Sequence, residues 1–275
     1  MPLAKITQYA SAARFDTNDV LLKDGTNGTK IIKAQDAAVE FAGLVSAANH
    51  RNTFRGKSLG TAVTADQLAA ISSGSFDDLY IGDYWVINNN RYDIADMDYW
   101  YHTGDTAFLK HHLVMIPHAR MSSAQMNSSD ITDGGYVGSD MYSSGLNGAV
   151  NTLLTDFGNK LLTHREYLVN AVTDGKPSGA LWKDSKAELM SEAMLYGCRI
   201  MSPGGSDLAY NTMNKRQLAI FRLGMALTID TLGIWLRDVA SPTKFCAHSP
   251  HSCAVANSAS TSRGVLPVFA IGSES

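Results

Sequence analysis

The chain has 275 residues, a net charge of -3 and a hydrophobic share of 45%. This length holds one large domain with an appendage, or two domains, and the composition suits a packed globular core. Scattered Lys and Arg give no basic face for nucleic acid, and no apolar run approaches the roughly 18–20 residues of a membrane span.

The N-terminal stretch MPLAKITQYASAARFDTNDV lacks the apolar core of a signal peptide, so synthesis and folding in a cytosol are expected. Three cysteines (Cys198, Cys246, Cys253) make no disulfide framework. A Cys246–Cys253 bridge stays open on spacing alone.

Along the chain, a turn signal from Asp24 to Gly28 separates Val20–Leu22 from Thr29–Ile32 and predicts a hairpin. A helix from about Gln35 to Ala48 follows, with Ala38, Phe41, Ala42 and Val45 on one face. One hairpin and one helix make too small a core to stand alone. Residues 1–58 are therefore expected to be an attachment and oligomerisation module, and residues 59–275 the main domain.

Thr64 and Gln67 form a capping-box signature for a helix through about Ser72. Asp78–Ile87 and Arg91–Tyr101 read as paired strands turned by Asn88-Asn89-Asn90, and His111–His118 as a third strand ended by Pro117. A Gly/Ser/Asp-rich connection spans Ser122–Ser144. Helices are expected over Leu146–Phe157, over Ser185–Tyr196 with Gly197 as a stop, and from a cap at Asn214 through Leu223. Helices set among antiparallel strands give an α+β fold and argue against a doubly wound parallel sheet.

Two β-like segments, Trp235–Val239 and Arg263–Gly272, bracket a stretch from Ala240 to Ser262. Its only large or β-branched apolar side chains are Phe245 and Val255, and from Phe245 to Ser262 it contains no acid, Lys, Arg, Met, Gln or Trp. A rigid frame displaying an adaptable loop is how binding surfaces are built.

Other candidates read more simply as structure. Cys246, His248, His251 and Cys253 are all zinc-ligand types, but four ligands crowd into eight residues with Pro250 among them, unlike the paired spacing of zinc sites. His111 and His112 face opposite sides of a strand, one inward and one outward. Asp93, Asp96 and Asp98 sit in an aromatic-rich strand; Asp96 and Asp98 share a face suited to a cation or an acid/base pair, and polar edge positions are the simpler reading. Trp85, Trp100, Trp182 and Trp235 are expected in the core. No nucleophile elbow, phosphate loop or tied triad is present.

GSFDDLYIGDYWVI, HHLVMIPH, MNSSDITDGGYVGSDM, ELMSEAMLYGC and WLRDV…SRGVLPVFAIG together resemble a group of tailed-phage and prophage virion proteins, over about residues 60–275. The first sixty residues resemble phage-attachment segments more loosely. The resemblance implies a C-type-lectin-like domain, in the branch shared by formylglycine-generating enzymes and by the variable proteins of diversity-generating retroelements, the group of the major tropism determinant. In those variable proteins the diversified positions lie between a WLR-type strand and a terminal GVRP-type strand. Adenine-directed mutagenesis there yields NNC codons, which exclude Glu, Lys, Met, Gln and Trp, and every residue from Phe245 to Ser262 fits that set.

The resemblance then implies a ligand-contacting surface at Ala240, Pro242, Thr243, Lys244, Ala247, His248, Pro250, His251, Ser252, Val255, Ala256, Asn257 and Thr261. Lys244 lies outside the NNC set, so it contacts ligand without arising by that route. Leu266 stands where such proteins carry Arg. Cys246 and Cys253 do not match the copper-binding motif of formylglycine-generating enzymes. The expected protein is a tail fibre, head fibre or decoration protein of a virion that binds a host-surface protein or glycan, trimerises and joins other virion proteins through residues 1–58, performs no catalysis and needs no cofactor. A metal-dependent enzyme on the same fold, using Cys246, His248, His251 and Cys253, and a purely structural capsid or tail component are the competing readings.

Overall fold

The computed structural model describes residues 20–23 and 30–33 of the N-terminal region, and residues 50–203, 216–225, 232–251 and 253–274 of the remainder. The chain divides into two compact units, Met1–Asn49 and His50–Ser275. In the first, β1 (Val20–Lys23) pairs antiparallel with β2 (Lys30–Lys33), as the hairpin signal predicts. The expected helix over 35–48 lies outside the described residues.

The second unit begins at His50, not at residue 59. Ionic anchoring explains the difference. Arg51 pairs with the buried carboxylate of Asp96, Arg55 with that of Asp83, and His50 Nδ1 lies 2.9 Å from the Leu79 carbonyl oxygen. A sequence reading weighted toward apolar periodicity does not see such contacts.

This unit is α+β, with mostly antiparallel sheets and few helices. Helix α1 (Ala65–Ser72) starts at the predicted capping box: the Gln67 amide donates to Thr64 Oγ1 at 3.2 Å, and the Thr64 amide to Gln67 Oε1 at 2.9 Å. Strands β3 (Tyr84–Ile87) and β4 (Asn90–Met97) form the expected hairpin. Its turn is the two-residue Asn88-Asn89, both at positive φ (48° and 67°), a conformation that suits the twist of the flanking strands. Residues 78–83 turn instead of extending the strand, because the buried Asp83 carboxylate gathers the amides of Lys57 and Tyr80, each at 2.9 Å.

Strand β5 (His112–Pro117) is buried along its whole length. It lies between β4 and the last strand, β15 (Pro267–Gly272). Strand β6 (Ser122–Ala124), a π-helical turn (Met141–Gly145) and helix α2 (Asn147–Phe157) follow, then β7 (Leu161–Leu162). Next come β8 (His164–Thr173) and β9 (Lys176–Ser185), a long hairpin turned at Asp174-Gly175. The sequence reading placed no element there, although Asp-Gly between alternating apolar residues is a strong hairpin signal.

The helix expected over 185–196 forms only in its last five residues. Strand β10 (Ala187–Leu189) pairs with β15, and only α3 (Glu192–Tyr196) is helical, capped by Ser191 and stopped by Gly197 at φ 82°. Pairing to a buried strand overrides the helical propensity of Ala-Glu-Leu. Helix α4 (Ala219–Arg222) matches the end of the last predicted helix, whose cap Asn214 lies outside the described residues.

Two sheets result. One runs β10-β15-β5-β4-β3, with β7 also on β15. The other contains the chain's last stretch, in the order β13-β12-β11-β14-β6: β11 (Ile234–Ser241), β12 (Lys244–His248), β13 (Ala254–Ser258) and β14 (Arg263–Val265). Trp235, Phe245, Ala247, Val265, Leu189, Met141 and Leu168 share one buried cluster, which ties this sheet to the π-turn and the long hairpin. Trp85, Trp100 and Trp235 are fully buried as expected, while Trp182 is partly exposed on β9 beside the Tyr167 ring. Among the described residues no helix is long and apolar enough to cross a membrane.

Candidate functional site

The stretch Ala240–Ser262, expected as a displayed loop, is a meander of three strands. Small residues permit this, because Ala and Ser fit tightly between neighbours in a sheet whose faces are both covered. Cross-strand pairs share a face. Phe245 pairs with Asn257 and Ala247 with Val255, facing the core cluster; Cys246 pairs with Ala256, His248 with Ala254 and Lys244 with Ser258, facing the opposite way.

Burial divides the thirteen expected contact residues. Ala247 is 0% exposed in the core, which removes it from any contact surface. His248 is 7% exposed, with its Nδ1 2.6 Å from the Tyr196 hydroxyl of α3, so it is withdrawn too. Strand β12 is an inner strand, and alternation sends its side chains into one packed layer or the other. Val255 is partly buried against the core cluster. Pro242, Thr243, Lys244, His251 and Thr261 are exposed, and Ala240, Pro250, Ala256 and Asn257 are partly exposed. Ser252 lies outside the described residues. The exposed members cluster at three places: the turn between β11 and β12, the turn between β12 and β13, and the outer strand β13.

Fixed contacts hold this rim. Pro242 packs on the hairpin turn, where a Cβ at Gly175 (φ +73°) would meet Pro242 Cδ at 2.4 Å. The Ser249 amide donates to the Cys253 carbonyl at 2.9 Å and closes the second turn. Arg263 Nη2 donates to Asn257 Oδ1 at 2.6 Å, and Nη1 to the Leu232 carbonyl at 2.9 Å. The Ser260 amide and hydroxyl donate to Asp130 Oδ1 at 3.0 and 2.7 Å and hold that carboxyl below the usual range. Beneath the rim, the buried Glu192 carboxylate receives the amides of Ile200, Met201 and Ser202 at 2.9–3.2 Å. Composition signalled none of Arg263, Asp130, Ser260 or Glu192, because their roles rest on distant partners.

The structure does not bring Cys246, His248, His251 and Cys253 together as ligands. Cys246 is fully buried, and burial pushes its thiol far up, followed by Asp238 and Glu192, so the thiolate is strongly disfavoured. Cys253 is exposed, with Sγ 3.0 Å from Ser249 Oγ, and both cysteines are free thiols. Burial lowers His248 below its ordinary value and raises Tyr196, so the phenol donates to a neutral imidazole.

The carboxylates of the aromatic strand are structural. Asp93 takes Arg91 and His118, Asp96 takes Arg51, and Asp98 takes His111. His112 is buried, and desolvation lowers it to about 4, while the His111 side chain is 27% exposed, as alternation requires.

A second polar centre lies deep in the unit. Arg237 of β11 binds Glu188 of β10 and Glu166 of β8, the latter at 3.0 Å. Trp100 Nε1 donates to Glu166, and the Trp100 ring stacks on His164 with centroids 3.9 Å apart. Burial pushes Glu166 up against the pull of Arg237; for Glu188, burial acts upward but Arg237 and His164 outweigh it and hold the group low. One ligand atom each from His164, Glu166 and Glu188 lies within 4.8 Å of the others, the only such group among the described residues.

Comparison with protein families, with curated proteins and with solved structures finds no match to this chain.

Proposed function

We propose that this chain is a virion protein of a tailed phage or prophage, with a C-type-lectin-like second unit that binds a host-surface protein or glycan non-covalently. The contacting surface is β13 with its two flanking turns: Pro242, Thr243 and Lys244 on one side, Pro250 and His251 on the other, and Ala254, Ala256 and Ser258 along the strand. No bond is made or broken. Each contact is weak, because small side chains bury little apolar area, and several copies per virion raise it through effective concentration. Trimerisation and attachment to other virion proteins belong to the first unit, residues 1–49.

One observation carries this reading. Strand β13 is the outer strand of a sheet, with a register set by a continuous ladder to β12 and by contacts beyond its own outward side chains. Ala254, Ala256 and Ser258 can therefore change identity while the frame stays in place, which is what a diversified surface requires. The NNC-compatible composition of the same stretch supports it independently.

Removing residues 240–262 is no test, since β12 and its core contacts would go with them. The informative experiment is binding of the labelled full chain to a panel of intact bacterial cells, with Ala256→Trp and His251→Asp beside the wild type. Cell binding that falls at least tenfold or shifts between strains, with the melting temperature unchanged, supports the reading. Identical binding by all three chains, or no binding by any, overturns it.

A further inference from the structure

We propose that His164, Glu166 and Glu188 hold a structural divalent cation of the zinc class, buried where the β8–β9 hairpin meets β10 and β11.

The observation behind it is a deficit of partners. Five buried side-chain polar atoms have no hydrogen-bond partner among the described residues, and three of them, His164 Nδ1, His164 Nε2 and Glu188 Oε1, sit in this cluster. Glu166, Glu188 and His164 are each 2% exposed or less, so bulk water does not supply what is missing. A buried polar group left without a partner is costly, so such a concentration calls for a bound species. Charge argues the same way. Two carboxylates face a single guanidinium, Arg237, so the cluster is rich in acidic oxygen donors for a cation.

The spacing fits a zinc-class ion. His164 Nε2 and Glu188 Oε1 are 3.3 Å apart. A charge-assisted N–H···O bond closes to about 2.7–2.9 Å. Two ligand atoms on a tetrahedral zinc, each about 2.0–2.1 Å from the metal, are separated by about 3.3–3.4 Å. The third ligand atom, on Glu166, lies within 4.8 Å of both. The surroundings orient the set as a second shell does: Arg237 grips both carboxylates, and Trp100 donates to Glu166 while its ring fixes the His164 plane. Held by side chains that are 2% exposed or less, the ion would tie strands together.

The test is metal content of the full chain, refolded with Zn²⁺ and dialysed, for the wild type, His164→Gln and the double variant His251→Ala/Cys253→Ser. The expectation is about one zinc per chain in the wild type and the double variant, and at least a tenfold loss in His164→Gln. A zinc-free, fully folded wild type overturns the proposal, as does zinc that survives His164→Gln or disappears with the double variant. Should His164→Gln fail to fold, the Co²⁺ spectrum of the wild type decides. Tetrahedral d–d bands without a thiolate charge-transfer band support the site, and a thiolate band or an octahedral spectrum overturns it. This readout is independent of ligand binding on β13, so the two proposals fail separately.

Discussion

Strands β12 and β13 lie side by side in one sheet, yet their burial differs. In β12, Phe245, Cys246 and Ala247 are 0% exposed, while all five residues of β13 remain partly exposed. Position separates them: β12 has a strand on each side, whereas β13 has an open edge. Within one stretch, one strand is therefore buried and its neighbour partly exposed.

Four changes would break or sharpen that contrast. The largest effect is expected from Phe245→Ala, which empties a fully buried site and should cost about 3–5 kcal/mol by chemical denaturation. A cost below about 1 kcal/mol would mean that β12 is not part of the core. Acid should come next. Burial lowers the folded His248 pKa, so its contribution to stability is present above the unfolded value of about 6.5 and is lost as pH falls below it. Protonating Nδ1 also removes the bond from Tyr196, so the wild type should lose about 1 kcal/mol more than His248→Gln between pH 7 and pH 5.

On β13 the effects shrink. Asn257→Ala removes the acceptor for Arg263 and should cost about 1 kcal/mol, read as a shifted urea midpoint. Ala256→Ser should change stability by less than about 0.5 kcal/mol. If Ala256→Ser destabilised as much as Phe245→Ala, the two strands would be equally structural and the display role of β13 would be lost.

Local signals were legible where short-range chemistry dominates. The Thr64–Gln67 capping box, the Asn88-Asn89 turn, the all-buried strand ended by Pro117 and helix α2 all follow from patterns within a few residues. The failures share a cause. Ala187–Leu189 carries helical propensity but pairs with β15. The stretch 240–262 has few large apolar residues, yet it supplies Phe245 and Ala247 to the core, because a neighbouring strand needs only small side chains to close over them. The Asp174-Gly175 hairpin signal was present and passed over. Among the expected contact residues, composition gave no sign that Ala247 and His248 are withdrawn from solvent.

What the sequence by itself determined is the α+β character, the caps and turns, and a segment poor in committed chemistry. Each rests on backbone preferences and side-chain types that act over a few residues. What only the tertiary structure decided is which side of each strand meets solvent, that Arg51 and Arg55 bind the start of the second unit into the fold, and that His164, Glu166, Glu188 and Arg237 converge from three strands. Those outcomes depend on pairing between residues far apart in the chain, where a shift of one position exchanges a strand's buried and exposed faces.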